Sequence, residues 1–203
     1  MYKESFGYDL NVPENIRELL MWLCQDVASL YDKWDFYLEL FSTKENTELL
    51  SELAVSSFQI IEESIRNDLI MMIGRLSDPS NGKRNLSIET LIQNCDKIES
   101  SEIELLKEFK EKCRPVRKLR HKFVAHNDLK SRIKPKDNPL PGIGLDQVKK
   151  IIHDAGTLLN LVYQKYVNAE LGFDIPIQIG GAKDLLYWLK KAKENQKKDV
   201  SEI

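Results

Sequence analysis

Ser101-Glu102-Ile103-Glu104-Leu105-Leu106-Lys107-Glu108-Phe109-Lys110-Glu111-Lys112-Cys113-Arg114-Pro115-Val116-Arg117-Lys118-Leu119-Arg120-His121-Lys122-Phe123 sets an apolar residue at Ile103, Leu106, Phe109, Cys113, Val116, Leu119 and Phe123. These steps of three and four residues are the period of one helix face, not the alternation of a strand. Ser101 and Glu104 match a capping box, which opens the helix there. Pro115 lacks the N–H that a helix interior needs, so a kink is expected at it. Beyond Pro115 the stripe resumes in phase. The other faces are lysine, arginine and glutamate, so one side meets a core and the rest meets water.

The same period extends in both directions. Ile16, Leu19, Leu20, Leu23, Val27, Leu30, Tyr31, Trp34 and Leu38 predict a helix from about Pro13 to Phe41. Proline suits the first turn, where its missing N–H costs nothing. Thr43 is a fair N-cap for a second helix over about 45–76, whose apolar positions include Leu49, Leu50, Leu53, Phe58, Ile61, Ile65, Leu69, Ile70 and Ile73. Two long helices joined by so few residues should run antiparallel. Asp78-Pro79-Ser80-Asn81-Gly82 ends the second helix, and Ser87 caps a short third one. After the helix of the quoted stretch comes a basic loop over 130–144. A fifth helix is expected from about Leu145 to Leu171, and a last one follows Gly180-Gly181 with Leu185, Leu186, Trp188 and Leu189. Ile175-Pro176-Ile177-Gln178-Ile179 is β-like, yet too short to found a sheet. The fold expected is all-α, a bundle of about five to six helices. It forms one domain over residues 1–203, with a polar tail from about Glu194 that frays.

Charge is divided unevenly along the chain. Net charge is −2, which gives no global basic field. From Lys107 to Lys136, however, twelve lysines and arginines face three acids, so this segment carries +9 and the remainder −11. A solvated helix face explains such a run, and so does a phosphate-binding stripe. Cys24, Cys95 and Cys113 are odd in number and widely spaced, neither a disulfide framework nor a zinc motif. The polar start shows no cleavable signal, and no apolar run approaches the ~20 residues of a membrane span. A cytoplasmic protein is the simplest expectation, with no membrane partner.

For chemistry, His121, His126 and His153 do not form a metal-ligand set at recognised spacing, so neither a metal nor a cofactor is expected. Gly142-Ile143-Gly144 and Gly180-Gly181 lack the context of a phosphate-cradling loop. Cys113 lies on the buried stripe, a poor place for a reactive thiolate. What remains is Arg120 with His126. An arginine holds phosphate through a fixed fork of donors, and a histidine moves protons near neutral pH. On a wheel of about 100° per residue the two occupy opposite shoulders of the apolar stripe, about 9 Å apart along the axis. Asn127 falls on the arginine side, and His121 points away from the core. One copy would not easily focus both groups on one phosphate, whereas two copies across a twofold axis could. An ion-paired arginine and a histidine favoured by a helix C-terminus are the ordinary readings of the same residues.

Arg120-His121-Lys122-Phe123-Val124-Ala125-His126-Asn127-Asp128 resembles the signature of HEPN domains, an arginine, a polar residue and then a histidine, here with five residues between Arg120 and His126. Gly74-Arg75-Leu76-Ser77-Asp78-Pro79, Asn85-Leu86-Ser87-Ile88 and Gly181-Ala182-Lys183-Asp184-Leu185-Leu186 are similar to the branch related to abortive-infection U proteins. The resemblance implies a compact helical fold, a homodimer and metal-independent endoribonuclease activity in bacterial defence or toxin–antitoxin systems. Arg120 and His126 then match the two catalytic positions, and His121 the polar second one.

The expectation is therefore an endoribonuclease with Arg120 and His126 catalytic and His121 and Asn127 supporting. Arg117, Lys122, Lys130 and Arg132 would attract the RNA backbone. The partners expected are RNA, a second copy of the chain, and an antitoxin or other defence-system protein. Non-catalytic versions of this fold exist, so a dimer that binds a partner protein or nucleotide is the alternative. A generic nucleic-acid-binding bundle is a third reading.

Overall fold

The computed structural model describes residues 12–80, 85–125, 141–167, 169–174 and 180–201. Among these every regular element is helical, as the periodicity predicts. Helix α1 spans Glu14–Phe41 and α2 spans Lys44–Leu76. Pro13 receives the N–H of Ile16 and of Arg17 on its carbonyl, so the chain enters α1 where the proline predicts. Thr43 Oγ1 accepts the Asn46 N–H at 3.2 Å, the cap expected for α2. Helix α3 spans Ile88–Asn94, and Ser87 Oγ accepts the Thr90 N–H at 3.3 Å. Helix α4 covers Ser100–Leu119 and passes into a π-helical segment, Arg120–Ala125. Helices α5, Leu145–Gln164, and α6, Ala182–Ser201, complete the order. No helix of the described residues is long and apolar enough to cross a membrane.

Two compact units divide these elements. The first gathers Met1–Tyr31 and Leu69–Asp174. Its core comes from α1 (Ile16, Leu20, Leu23, Val27, Leu30), the end of α2 (Leu69, Met72, Ile73, Leu76) and α3 (Ile88, Leu91, Ile92), with Leu106, Phe109, Cys113 and Val116 of α4 and Ile151, Ile152, Leu158, Leu159 and Val162 of α5. Helix α5 packs on both α4 and α3. Gly156 allows Tyr31 and Phe173 to close on α5, since a Cβ there would lie 3.1 Å from the Tyr31 hydroxyl.

The second unit comprises Asp32–Asp68 and Ile175–Ile203. Leu40, Leu49, Leu50, Ala182 and Leu186 form its buried centre, with Phe36, Phe41, Leu53 and Phe58 packed around it. Lys33 pairs with Asp68, and the Tyr37 hydroxyl faces Glu62, the antiparallel order expected of α1 and α2. Lys183 meets Glu39 at 3.1 Å and Lys190 meets Glu45 at 2.7 Å, fastening α6.

Several expectations are corrected. Helix α4 opens earlier than Ser101, with Glu99 as N-cap and Glu102 as its box partner. The shift puts Glu102, not Ile103, at the head of the buried face, and Ile103 is 44% exposed. Glu102 tolerates burial because Oε2 accepts the Glu99 N–H at 2.7 Å and Oε1 meets Lys165 Nζ at 2.6 Å. Pro115 lies inside α4, which runs on to Leu119, and a change of winding that the periodicity did not predict comes at Arg120. Helix α5 stops at Gln164, short of Leu171, where Asn160 takes over the backbone: its side chain accepts the Leu171 N–H and donates to the Leu171 carbonyl. In α2, Ala54 leaves helical dihedrals, and Ile61 turns out exposed. Trp188 is 67% exposed, and α6 runs past Glu194 to Ser201. The β-like segment 175–179 and the basic loop as far as residue 140 lie outside the described residues.

Candidate functional site

Within the first unit the C-terminal end of α2 receives two arginines, Arg117 from α4 and Arg120 from the start of the π-helical segment. Arg117 donates through Nη1 to the Ser77 carbonyl at 3.0 Å. Arg120 donates through Nη1 and Nη2 to the two carboxylate oxygens of Asp78, at 2.9 and 2.7 Å. This is the bidentate fork that an arginine makes with a planar anion. The Arg120 and Asp78 side chains are 22% and 25% exposed, so the pair is shielded from much of the solvent. Cations at a helix C-terminus are favoured by the macrodipole as well, so α2 and α4 gain from the same contact.

Gly74 makes the approach possible. A Cβ at that position would lie 2.6 Å from Arg120 Cδ and 2.9 Å from its Nε. The arginine stem therefore lies against the last turn of α2, where any other residue would push it away. Ser77 is buried and turns its hydroxyl back onto the Ile73 and Gly74 carbonyls, at 2.9 and 3.2 Å.

The segment after α2 is fastened from other sides. Ser80 N–H donates to Glu89 Oε2 and Ser80 Oγ to Gln93 Oε1, each at 2.7 Å. Asn85 donates to the Pro79 carbonyl at 3.1 Å. Lys110 of α4 closes on the other Glu89 oxygen. Burial alone would raise the Glu89 carboxyl. Lys110, the Ser80 N–H and the Arg117 charge outweigh it and hold Glu89 below its ordinary value. Neighbouring Cys113 is the reverse case: burial pushes its thiol up to about 12, which leaves it a core residue.

Ion pairing absorbs much of the basic run. Lys107 meets Glu104, Lys112 meets Asp154 and Glu108, and Arg114 meets Glu111. The Asp154 hydrogen bond, supported by Asp154 and Glu108 charge, raises Lys112 above its usual value. Lys118 is exposed and Lys122 half-buried; among the described residues neither has an acidic partner.

Of the residues singled out from sequence, Arg120 is thus engaged with Asp78 and Arg117 with a backbone carbonyl. His121 is exposed in the π-helical segment, as its place away from the core predicts. His126, Asn127, Lys130 and Arg132 lie outside the described residues. The π winding also alters the wheel. An i→i+5 turn advances less per residue than an α turn, so faces counted at about 100° per residue do not carry beyond Arg120. Asp78 and Gly74 were missed as site residues. Both stand in the quoted Gly74-to-Pro79 stretch, but no helical period links it to Arg120.

A family model described as AbiU2, of the HEPN class, matches residues 13–185. No curated protein and no solved structure matches the chain. The matched residues run from the start of α1 into α6 and take in Gly74, Asp78, Arg120 and His126. With that span and an all-α fold, the chain belongs to the AbiU2 family of HEPN domains.

Proposed function

We propose that this protein is a metal-independent endoribonuclease of the HEPN type, acting in bacterial defence or as the toxin of a toxin–antitoxin pair. Its site would be composed at a homodimer interface from two copies of the Arg120–His126 motif. The observation that supports this reading most is that motif itself, lying inside the matched residues and starting where α4 passes from α to π winding. π-helical turns are rare and frequent at functional sites.

RNA supplies its own nucleophile. The 2′-oxygen attacks the adjacent phosphorus, the bond to the 5′-oxygen breaks, and the products are a 2′,3′-cyclic phosphate and a 5′-hydroxyl. His126 takes the 2′-hydroxyl proton or gives one to the leaving oxygen, and an imidazole pKa near ~6.5 suits either task. Arg120 holds the phosphate and stabilises the charge gathering on its oxygens. His121 and Asn127 support that pair. Arg117, Lys122, Lys130 and Arg132 draw in the backbone, so binding falls as salt rises.

The test uses purified wild type, Arg120→Ala and His126→Ala on RNA with EDTA present. His126→Ala should lose about 10²–10⁴ of the cleavage rate. It carries the decision, because Arg120→Ala also strips Asp78 of its partner. Equal cleavage by all three proteins would sink the enzymatic reading. One observation favours the alternative, a non-catalytic dimer binding a partner protein or nucleotide: the end of the Arg120 fork is engaged by Asp78. On that reading His126→Ala leaves RNA integrity unchanged.

A further inference from the structure

We infer that Asp78 and Gly74 are positioning residues for Arg120: they fix its guanidinium so that the edge with no acceptor among the described residues, Nε–H with the second Nη2–H, receives the RNA phosphate. The inference rests on the endoribonuclease reading and adds two residues to its site.

A guanidinium carries five N–H donors in one plane. Asp78 takes one from Nη1 and one from Nη2, the end of the fork, and is the acceptor of that group among the described residues. Three donors remain. Two of them, on Nε and Nη2, form a second parallel edge with the spacing that a phosphate needs. One arginine can therefore hold a carboxylate at its end and a phosphate along its side. The carboxylate fixes the plane of the fork, and the phosphate meets donors already oriented.

A latch that phosphate must displace is the other way to use such a pair, and the surroundings argue against it. Asp78 sits on no swinging arm. Ser77 before it is buried and bonded to the last turn of α2, and Ser80 after it is tied to Glu89 and Gln93. The Arg120 stem lies in the space that the missing Gly74 side chain leaves, with Cδ 2.6 Å from where a Cβ would stand. Both partners are held from behind, which is the arrangement of a fixed support.

Asp78→Asn and Gly74→Ala test this in the EDTA cleavage assay beside wild type and His126→Ala. The Asp78→Asn change keeps the shape of the side chain and removes its charge. The Gly74→Ala change keeps every charge and favours the helix, so it should not lower Tm, but it forces the arginine stem aside. Each variant is expected to lower kcat by about 10- to 100-fold, since misplacement by about 1 Å costs that much, with KM changed less. Wild-type kcat in Gly74→Ala overturns the inference while leaving the endoribonuclease reading intact. A faster Asp78→Asn enzyme also overturns it, in favour of a latch. Wild type no better than His126→Ala removes the reading, and the inference with it. Should Asp78→Asn fail to fold, Gly74→Ala decides. A short RNA with 2′-O-methyl sugars, which binds without a nucleophile to react, should shift the Arg120 Nε–H resonance of the wild-type protein; an unmoved signal on saturation counts against the open edge.

Discussion

At its first turn α4 is held chiefly by its own residues, whereas at its last it is held by α2. Glu99 and Glu102 cap each other three positions apart. Arg120 reaches Asp78, 42 positions back in the chain, and Arg117 reaches Ser77, 40 positions back. The box at the first end is a local device that any amphipathic helix can use, and Lys165 joins it from beyond α5. The second exists only once α2 and α4 have packed, and it is the end that carries the arginine of the family motif. A helix can thus be closed by local chemistry on one side and by long-range contacts on the other, where a neighbouring helix sets its last side chains.

The buried stripe between the ends is what both depend on. Phe109 is fully buried, and its truncation to alanine should lower unfolding stability by about 3–5 kcal/mol and disturb both ends together. Denaturant unfolding measures the loss, and a change below about 1 kcal/mol would show that the stripe is not the core of the first unit. Glu102→Gln separates the ends. It weakens the box and removes the carboxylate from Lys165, a pair only 9% and 14% exposed, at a cost of about 1.5–3 kcal/mol. On the proposed endoribonuclease reading, RNA cleavage at a temperature where the variant is folded should be unchanged, because the Arg120 end does not use Glu102. A fall in kcat without a fall in Tm would show that the two ends are coupled.

What could be read in the sequence divides along the same line. The stripe Leu106, Phe109, Cys113 and Val116 follows from spacing alone, and Ser87 and Thr43 were legible as caps because a cap bonds within three residues. Spacing erred at Ile103, since a buried glutamate led the face in its place, and Lys165, which makes that tolerable, is 63 positions away. The end of α5 was missed for a related reason: Asn160 bonds backbone beyond the helix, and no period announces it. Arg120 stood out through its motif, but its partner could not. Asp78 reads as a turn residue and Gly74 as a weak point near a helix end until the fold sets them beside the arginine. The π winding from Arg120 was equally hidden, since α and π turns draw on the same residues.

Acid should sharpen the contrast from the other side. Glu89 ties the α2 end to α4 and is held below its ordinary pKa, with Lys110 and the Ser80 N–H outweighing burial. A carboxylate whose folded pKa is lowered adds stability above its unfolded value near ~4.3, and that stability is lost as pH falls through the folded value. Glu89→Gln should therefore be less stable than wild type at neutral pH, and the gap should close in acid. A gap constant from pH 7 to pH 3 would mean that the Glu89 charge contributes nothing to the clamp.

The smallest effect belongs to Lys107, and it is the control for the others. Its pair with Glu104 lies 66% exposed on both sides, on the outer face of the same helix. Exposed pairs of this kind contribute about 0–1 kcal/mol, since water and salt screen them and two long side chains lose freedom to form them. Lys107→Ala should thus leave Tm nearly unchanged and leave RNA affinity at low salt unchanged too, because the charge removed is already paired with Glu104. Lys122→Ala provides the counterpart, for its charge has no acidic partner among the described residues and lies in the π-helical segment beside Arg120. If RNA approaches along that end of α4, affinity should fall and the salt slope should flatten by about one phosphate contact in Lys122→Ala only. Equal losses in both variants would mean that the whole basic face attracts RNA without regard to its pairing, and that the far end of the helix plays no special part in binding.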